Sequence, residues 1–502
     1  MRAKINRFLK SLFDKKVLSK FEYENLFANS AVTPLFYALI KIHKVGNPIR
    51  PIVSFIDTPS YNMAKFLSKL LTPSTDHSPH KLKNSYDLKS RIKNIFIPDT
   101  HILISFDVRA LFTSIPQDFA KDCVYEFLQV NQDIFGRTKI NAAEICQMVQ
   151  LCFEATLFQF NNSYFRQITG TPMGSPVSVV LAEIVMQKIE QLAMPTICDS
   201  LMFWYRYVDD VLACVKLEEA ENILSCINSI NNHIQFTAEK EENHSISFLD
   251  LKITRKANGF LNFGIFRKST HTDKYLDFDS YNPIQHKNSV TRTLIHRAEN
   301  LCDEENKTQE LEHVFDILQN NGYPRKSIDN IARRVRENMS NNSTSESQQP
   351  SNFASVPYVA GTSERIGRIF RKYDVHIAHQ PSRKLRNELC HLKDRRPVGE
   401  RAGVVYKLPC GDCNACYVGE TGRQVDDRMV EHQRDINNQK INSKVFEHVN
   451  STGHRFDFAN VSVLDQCNHR KVRLHLESVH THIQSNSINR SLIMDNAYRP
   501  LF

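Results

Sequence analysis

No apolar run in these 502 residues approaches the roughly 20 needed to cross a bilayer. The basic start lacks the apolar core and small-residue cleavage site of a signal peptide. Membrane-spanning and secreted classes are thereby set aside, and a protein made in the cytoplasm and working there or, more specifically, in the nucleus is expected. No internal repeat is found. A disulfide scaffold is also unsupported, because the twelve cysteines are irregularly spaced until they bunch as Cys410, Cys413 and Cys416, which points to metal. Low-complexity sequence is confined to 338–352 (NMSNNSTSESQQPSN), which reads as a linker. Acid is scarce at the front, where residues 1–95 hold 17 Lys and Arg against 6 Asp and Glu. That imbalance fits a polyanion partner, or a solvated basic face without a ligand.

What is present is ordinary globular material, 41% hydrophobic and 24% charged, with room for several cores. Ahead of the linker, 102–106 and 211–215 have strand character, whereas 178–192 and 311–318 have helical spacing. Behind it, 403–408 and 416–419 read as short strands, followed by a charged helix over 424–436. An α+β multidomain chain is expected.

The strongest chemical signal is YRYVDDVLACV (205–215), where Asp209 and Asp210 interrupt an apolar strand. A lone Asp-Asp pair is more often a hairpin turn. A third carboxylate, Asp107, stands in a second apolar strand, HILISFDVRALFTSIP. Carboxylates at the ends of neighbouring strands can hold two Mg²⁺ ions, hard cations that take oxygen ligands. Between the two segments lies TGTPMGSPVSVVLAEIVM (169–186), a Gly- and Pro-rich turn before an apolar helix, whose Gly174 permits close approach of backbone to a substrate.

FDVRALFTSIP, TGTPMGSPVS and YVDD, in this order, resemble the palm motifs of reverse transcriptases, and most nearly those of the Penelope-like retroelement family. The segment 38–71 resembles that family's fingers block, and SFLDLKITR (247–255) with 275–298 resembles its late palm and thumb. The resemblance implies a right-hand polymerase with an antiparallel palm sheet: fingers over 1–95, palm over 96–275, a thumb-like helical region over 276–337. It implies Asp107, Asp209 and Asp210 as metal-site carboxylates and Phe112 as the aromatic that excludes a 2′-hydroxyl, though a core aromatic is the rival reading. Lys41, Lys44 and Arg50 would hold template or nucleotide phosphates. RNA template, DNA primer and dNTPs are the implied partners. The fingers block begins near residue 35 where the family has a longer extension, so a truncated copy is one reading.

Past a connector (353–399), GVVYKLPCGDCNACYVGETGRQVDDRMVEHQRD (403–435) resembles the GIY-YIG nuclease core, with Tyr406 and Tyr417 as the signature tyrosines and one inserted residue in the first signature. Arg428 and His432 are four apart and share a helical face. Arginine can stabilise a scissile phosphate, and tyrosine or histidine can take a proton from water. Glu477 resembles the family's glutamate for a single Mg²⁺ and Asn489 its late asparagine. Arg423 is a rival to Arg428. Cys410, Cys413, His448 and His454 form a Cys₂His₂ set suited to structural Zn²⁺, with Cys416 as a substitute ligand. A small α/β nuclease domain over 400–502 is expected, acting on target DNA. The leading expectation is a retroelement protein that nicks DNA and copies RNA from the nick, and the alternative is a degenerate or host-recruited copy with one or both activities lost.

Overall fold

The computed structural model describes residues 1–28, 32–42, 46–340, 352–381, 396–467 and 469–489. They fall into two compact units, Met1–Lys393 and Asp394–Phe502. The division comes after the expected linker. Asn338 to Ser340 close the helix Arg325–Ser340, Asn352 opens a strand, and the rest of that linker lies outside the described residues.

The first unit is α+β. Strands β1 (Phe36–Ile40) and β2 (Ile49–Val53) form an antiparallel hairpin. Strand β3 (His101–Val108) is central to the palm, and β4 (Leu157–Phe160) with β5 (Ser163–Arg166) forms a second hairpin. Strands β6 (Leu201–Tyr207), β7 (Asp210–Lys216) and β8 (Phe236–Lys240) complete an antiparallel palm sheet in the order β6-β7-β3-β8. Side chains alternate across a strand, and here the alternation divides two cores. Val211, Ala213 and Val215 of β7 join the core built on the helices Tyr61–Thr75, Gln117–Val130, Ala142–Glu154 and Pro176–Ile197. Leu212 and Cys214 point the other way, into a core shared with β9 (Ser245–Phe248), β10 (Leu251–Arg255) and β11 (Leu261–Ile265). With both faces covered, β7 reads as a continuous apolar run.

Three helices, Ile284–Leu301, Glu304–Asn320 and Arg325–Ser340, close around their own core of Leu294, Ile295, Val314, Leu318 and Ile328. A βαβ segment follows: β12 (Asn352–Pro357) and β13 (Val375–Gln380) pair in parallel, joined by the helix Thr362–Arg371. The second unit is a three-stranded antiparallel sheet, β15-β14-β16, of β14 (Val404–Pro409), β15 (Cys416–Thr421) and β16 (Ser462–Gln466). It packs with the helices Val425–Asn437, Lys444–Thr452 and Arg470–Ile483. No described helix is long and apolar enough to cross a membrane.

The palm hairpin is fastened by a buried ionic cluster. Arg206 of β6 has 0% exposure and meets both Glu183 and Glu190 of the helix Pro176–Ile197. Its Nη1 and Nη2 donate to the two Glu183 carboxylate oxygens at 2.9 Å each, and its Nε donates to Glu190 at 2.8 Å. Trp204 Nε1 also donates to Glu190, at 3.0 Å. Burial pushes the Glu183 carboxyl up, but the guanidinium's hydrogen bonds and charge bring it below the usual range. Arg206 Nη1 also donates to the Val208 carbonyl at 3.1 Å. Val208, a β-branched residue at φ 59°, is strained there and needs such support. Arg206→Met leaves two carboxylates buried without their cation, and breaking such a cluster costs about 3–5 kcal/mol. Thermal denaturation of this variant should show a clearly lowered midpoint, and an unchanged midpoint would refute the assignment.

Candidate functional site

The acidic residues converge where β3 meets the β6–β7 hairpin. Asp107 is the register partner of Asp210, and Tyr207 pairs with Asp210 across the hairpin, so Val208 and Asp209 make the turn. The Asp-Asp pair is thus a turn and part of a carboxylate set at once. All three acids are partly exposed. Burial holds the Asp209 carboxyl above its usual range, and the Asp107 charge adds to this while Lys41 and Arg50 oppose it. The three carboxylates stand at one end of the sheet and offer only oxygen donors, the kind a hard divalent cation takes.

The charges of Lys41 and Arg50 are felt at Asp209 from the β1–β2 hairpin, where Arg50 pairs with Leu39 and the Lys41 N–H donates to the Pro48 carbonyl at 2.9 Å. Lys44 lies outside the described residues. Gly174 sits at φ +123°, and a Cβ there would come within 2.1 Å of the Val53 carbonyl oxygen, so the close approach is to the end of β2. The Met173 carbonyl accepts from Val53 N–H at 2.9 Å, which joins this loop to the fingers hairpin. Phe112 is half-buried against the main core, and its carbonyl accepts from Thr171 N–H at 2.6 Å. That bond couples the turn after β3 to the Gly-rich loop.

In the second unit the tyrosine hydroxyls lie beside the helix Val425–Asn437. Tyr406 is fully buried, and its Oη lies 2.7 Å from His432 Nε2 and accepts from Arg428 Nε at 3.2 Å. Burial lifts both tyrosines above their usual range, with the Glu477 charge adding at Tyr417. Burial, then the Arg428 charge, lowers His432 to about 4, so its ring is neutral at physiological pH. Burial and the neighbouring Glu420 raise Glu477 to about 7. Asn489 spans the backbone of Val418, accepting from its N–H at 2.9 Å and donating to its carbonyl at 2.6 Å. Arg428 is the arginine at Tyr406, whereas Arg423 is mostly exposed and pairs with Glu431. Glu477 and the neighbouring Glu420, near the buried Tyr406 hydroxyl, again offer oxygen donors.

Cys410, Cys413, His448 and His454 present ligand atoms all within 4.8 Å of one another. His454 Nδ1 is buried and has no hydrogen-bond partner among the described residues. Burial and the neighbouring His454 hold His448 below its usual range, which favours the neutral ligand form. An orphaned ring nitrogen beside two thiols and a second imidazole fits Zn²⁺. Cys416 stands apart, with its thiol 3.6 Å from Asn486 Oδ1.

Residues 42–252 match the family described as reverse transcriptase (RNA-dependent DNA polymerase), and residues 274–333 match the animal helix-turn-helix domain. The first unit therefore carries a reverse transcriptase domain, a class that uses divalent metal. The second match covers most of the three-helix body. No curated protein matches the chain. Among solved structures it is similar to telomerase from Candida albicans in complex with a TWJ fragment of telomeric RNA, at 12% identity and TM-score 0.43 over 62% of this chain and 58% of that one. It is similar to apo telomerase from Candida tropicalis at 12% identity and TM-score 0.38, over 61% of this chain and 63% of that one. A BmCPV RNA-dependent RNA polymerase at its elongation state gives 14% identity and TM-score 0.38 over 62% and 28%. This chain thus spans less than two thirds of each.

Sequence reasoning passed over the ionic cluster of Arg206, although Glu183 and Glu190 are seven apart in an apolar helix and so share a face. It also passed over Glu420, which faces Glu477 and is ion-paired to Arg473 at 2.8 Å. Metal analysis of the purified chain should find one zinc that Cys413→Ser removes, and a zinc-free wild type would refute the Cys₂His₂ site. Phe112→Val should admit ribonucleotides during primer extension. Unchanged discrimination would make Phe112 a core residue only.

Proposed function

We propose that this chain copies RNA into DNA from the carboxylates Asp107, Asp209 and Asp210, and that its second unit nicks target DNA to supply the 3′ end. The observation that carries the reading is the register of Asp107 opposite Asp210 with Asp209 at the adjoining turn, inside a segment matching the reverse transcriptase family. Asp107 and Asp209, with Asp210 beside them, would hold two Mg²⁺ ions, which supply Lewis-acid activation of the primer hydroxyl and charge neutralisation at the leaving pyrophosphate. Lys41 and Arg50 draw the triphosphate towards the carboxylates, with Lys44 assigned the same role. Gly174 keeps the loop close enough to the fingers hairpin to floor the nucleotide site, and Phe112 screens the sugar.

The nuclease reading is supported by the hydroxyl, imidazole and guanidinium gathered at Tyr406. Tyr406 Oη accepts from Arg428, and the neutral His432 ring 2.7 Å away is placed to exchange a proton with that hydroxyl, while Tyr417 borders the same site. Arg428 balances charge growing on the scissile phosphate. Glu477 would hold one Mg²⁺, and Asn489 fixes the strand that carries Tyr417. Zn²⁺ at Cys410, Cys413, His448 and His454 would be structural. The arrangement fits a Penelope-like retroelement protein with a GIY-YIG nuclease, using RNA template, DNA primer, dNTPs and nuclear target DNA. A degenerate or host-recruited copy predicts a broken catalytic set, and neither set is broken at the residues named.

Asp107→Asn and Asp209→Asn should each abolish primer extension on an RNA template while template–primer binding persists, because a metal ligand is lost and the cations remain. Residual synthesis above a tenth of wild type would remove the residue from the metal site. On supercoiled plasmid, Glu477→Ala and Arg428→Ala should slow nicking by roughly a hundredfold or more, about 3 kcal/mol of transition-state stabilisation. Wild-type nicking rates in either variant would exclude that residue.

A further inference from the structure

The βαβ segment Asn352–Gln380 enters none of the sites above. Its helix carries Arg365 and Arg368, with Arg371 at its last position and Lys372 next. Spacings of three and four place Arg365, Arg368 and Lys372 along one stripe, with Arg371 beside it. All four are exposed, and none forms an ion pair among the described residues. The acids of the segment are Glu364 and Asp374. Glu364 accepts from the Tyr358 hydroxyl at 2.7 Å and keeps its charge, so four cations stand against two acids. Such unpaired cations repel one another and favour a polyanion.

Aromatic side chains stand among them. Phe353 is 64% and Tyr373 75% exposed. The Phe353 ring lies 5.9 Å from that of His376, its register partner across the parallel pair. A cavity of about 400 Å³ opens here, with Phe353, Glu364, Arg368, Arg371, His376 and His379 among the residues that border it. The segment is anchored at one end, where the Ala360 N–H donates to Tyr281 Oη at 2.9 Å and Tyr281 packs 5.5 Å from Tyr358. Tyr281 lies within the stretch matching the helix-turn-helix domain.

Cations that follow a phosphate backbone, with exposed rings on which bases stack, are the two components of sequence-tolerant binding to single strands. A duplex keeps its bases stacked inside and would leave the rings unused. We propose that Asn352–Gln380 is a binding surface for single-stranded nucleic acid, with Arg365, Arg368, Arg371 and Lys372 on phosphates and Phe353 and Tyr373 under bases. The surface extends the polymerase reading to residues that reading does not use. Binding, rather than synthesis, tests it, so loss of one leaves the other standing.

The experiment measures affinity of the full chain for dye-labelled 20-nucleotide RNA and DNA single strands and a 20-base-pair duplex, by anisotropy across a salt series. Replacing Arg365, Arg368, Arg371 and Lys372 together by alanine should weaken single-strand binding about tenfold and flatten the log–log salt slope by about 2 to 3, the release expected for four phosphate contacts. The triple change Arg365→Lys, Arg368→Lys and Arg371→Lys should keep the slope, since the charge is kept. Phe353→Ala with Tyr373→Ala should weaken single strands about fivefold or more and spare the duplex. Comparable effects on RNA and DNA strands would assign the shared backbone chemistry, and an effect on one alone would assign that strand as the ligand. Co-sedimentation of the same variants with phosphatidylserine vesicles completes the comparison. The proposal is overturned by an unchanged slope, by equal losses in the alanine and lysine variants, or by losses confined to the vesicles, which would make this a membrane surface.

Discussion

Arg206 joins the two motifs on which the polymerase site depends, because its guanidinium is shared between a helix and a hairpin. The helix Pro176–Ile197 begins at the Gly-rich loop and contributes Glu183 and Glu190, and the hairpin contributes the Val208 carbonyl next to Asp209. The backbone of Arg206 is held as well, since its N–H donates to the His80 carbonyl at 2.7 Å and its own carbonyl accepts from Leu82 at 2.8 Å. A buried charge is costly unless fully paired, and here the pairing ties the helix to the turn. Asp209 is placed as a consequence.

From that constraint the remaining geometry follows by register. Once the β6–β7 turn is fixed, the pairing of β7 with β3 puts Asp107 across from Asp210. A slip of one residue would turn Asp107 to the other face. The main core fills one side of the sheet and the core over β9–β11 the other, so such a slip would also bury the wrong side chains. The loop at Gly170 and Gly174 then meets the fingers hairpin and the turn at Thr113 with no space for a Cβ. Sheet, loop and hairpin thus meet at one place, although they come from distant parts of the chain.

Much of this was legible in the sequence. Strand and helix positions at 102–106, 211–215 and 178–192 were evident from apolar patterning, and the acidic residues from their interruption of it. The hairpin β4–β5 was not anticipated, although FQFNNSYFR alternates around Asn161 and Asn162, which both take positive φ at the turn, a recognisable hairpin signature. The segment after the linker read as a connector because a parallel pair of short strands with little burial leaves a weak periodic signal. The cluster at Tyr406 depended on family resemblance: no periodicity says that Arg428 and His432 would meet a tyrosine on a strand more than twenty residues earlier. Arg473, buried against Glu420, was hidden because a charged residue in a charged helix looks solvated.

The carboxylates at the β3 and β6–β7 ends are proposed to make this chain a polymerase that reads RNA. The direct measurement is extension of a labelled DNA primer on an RNA template by the purified, folded wild-type chain, with and without Mg²⁺. Template-directed, Mg²⁺-dependent addition of deoxynucleotides is the predicted result. A folded chain that binds the template–primer and adds nothing would contradict the account.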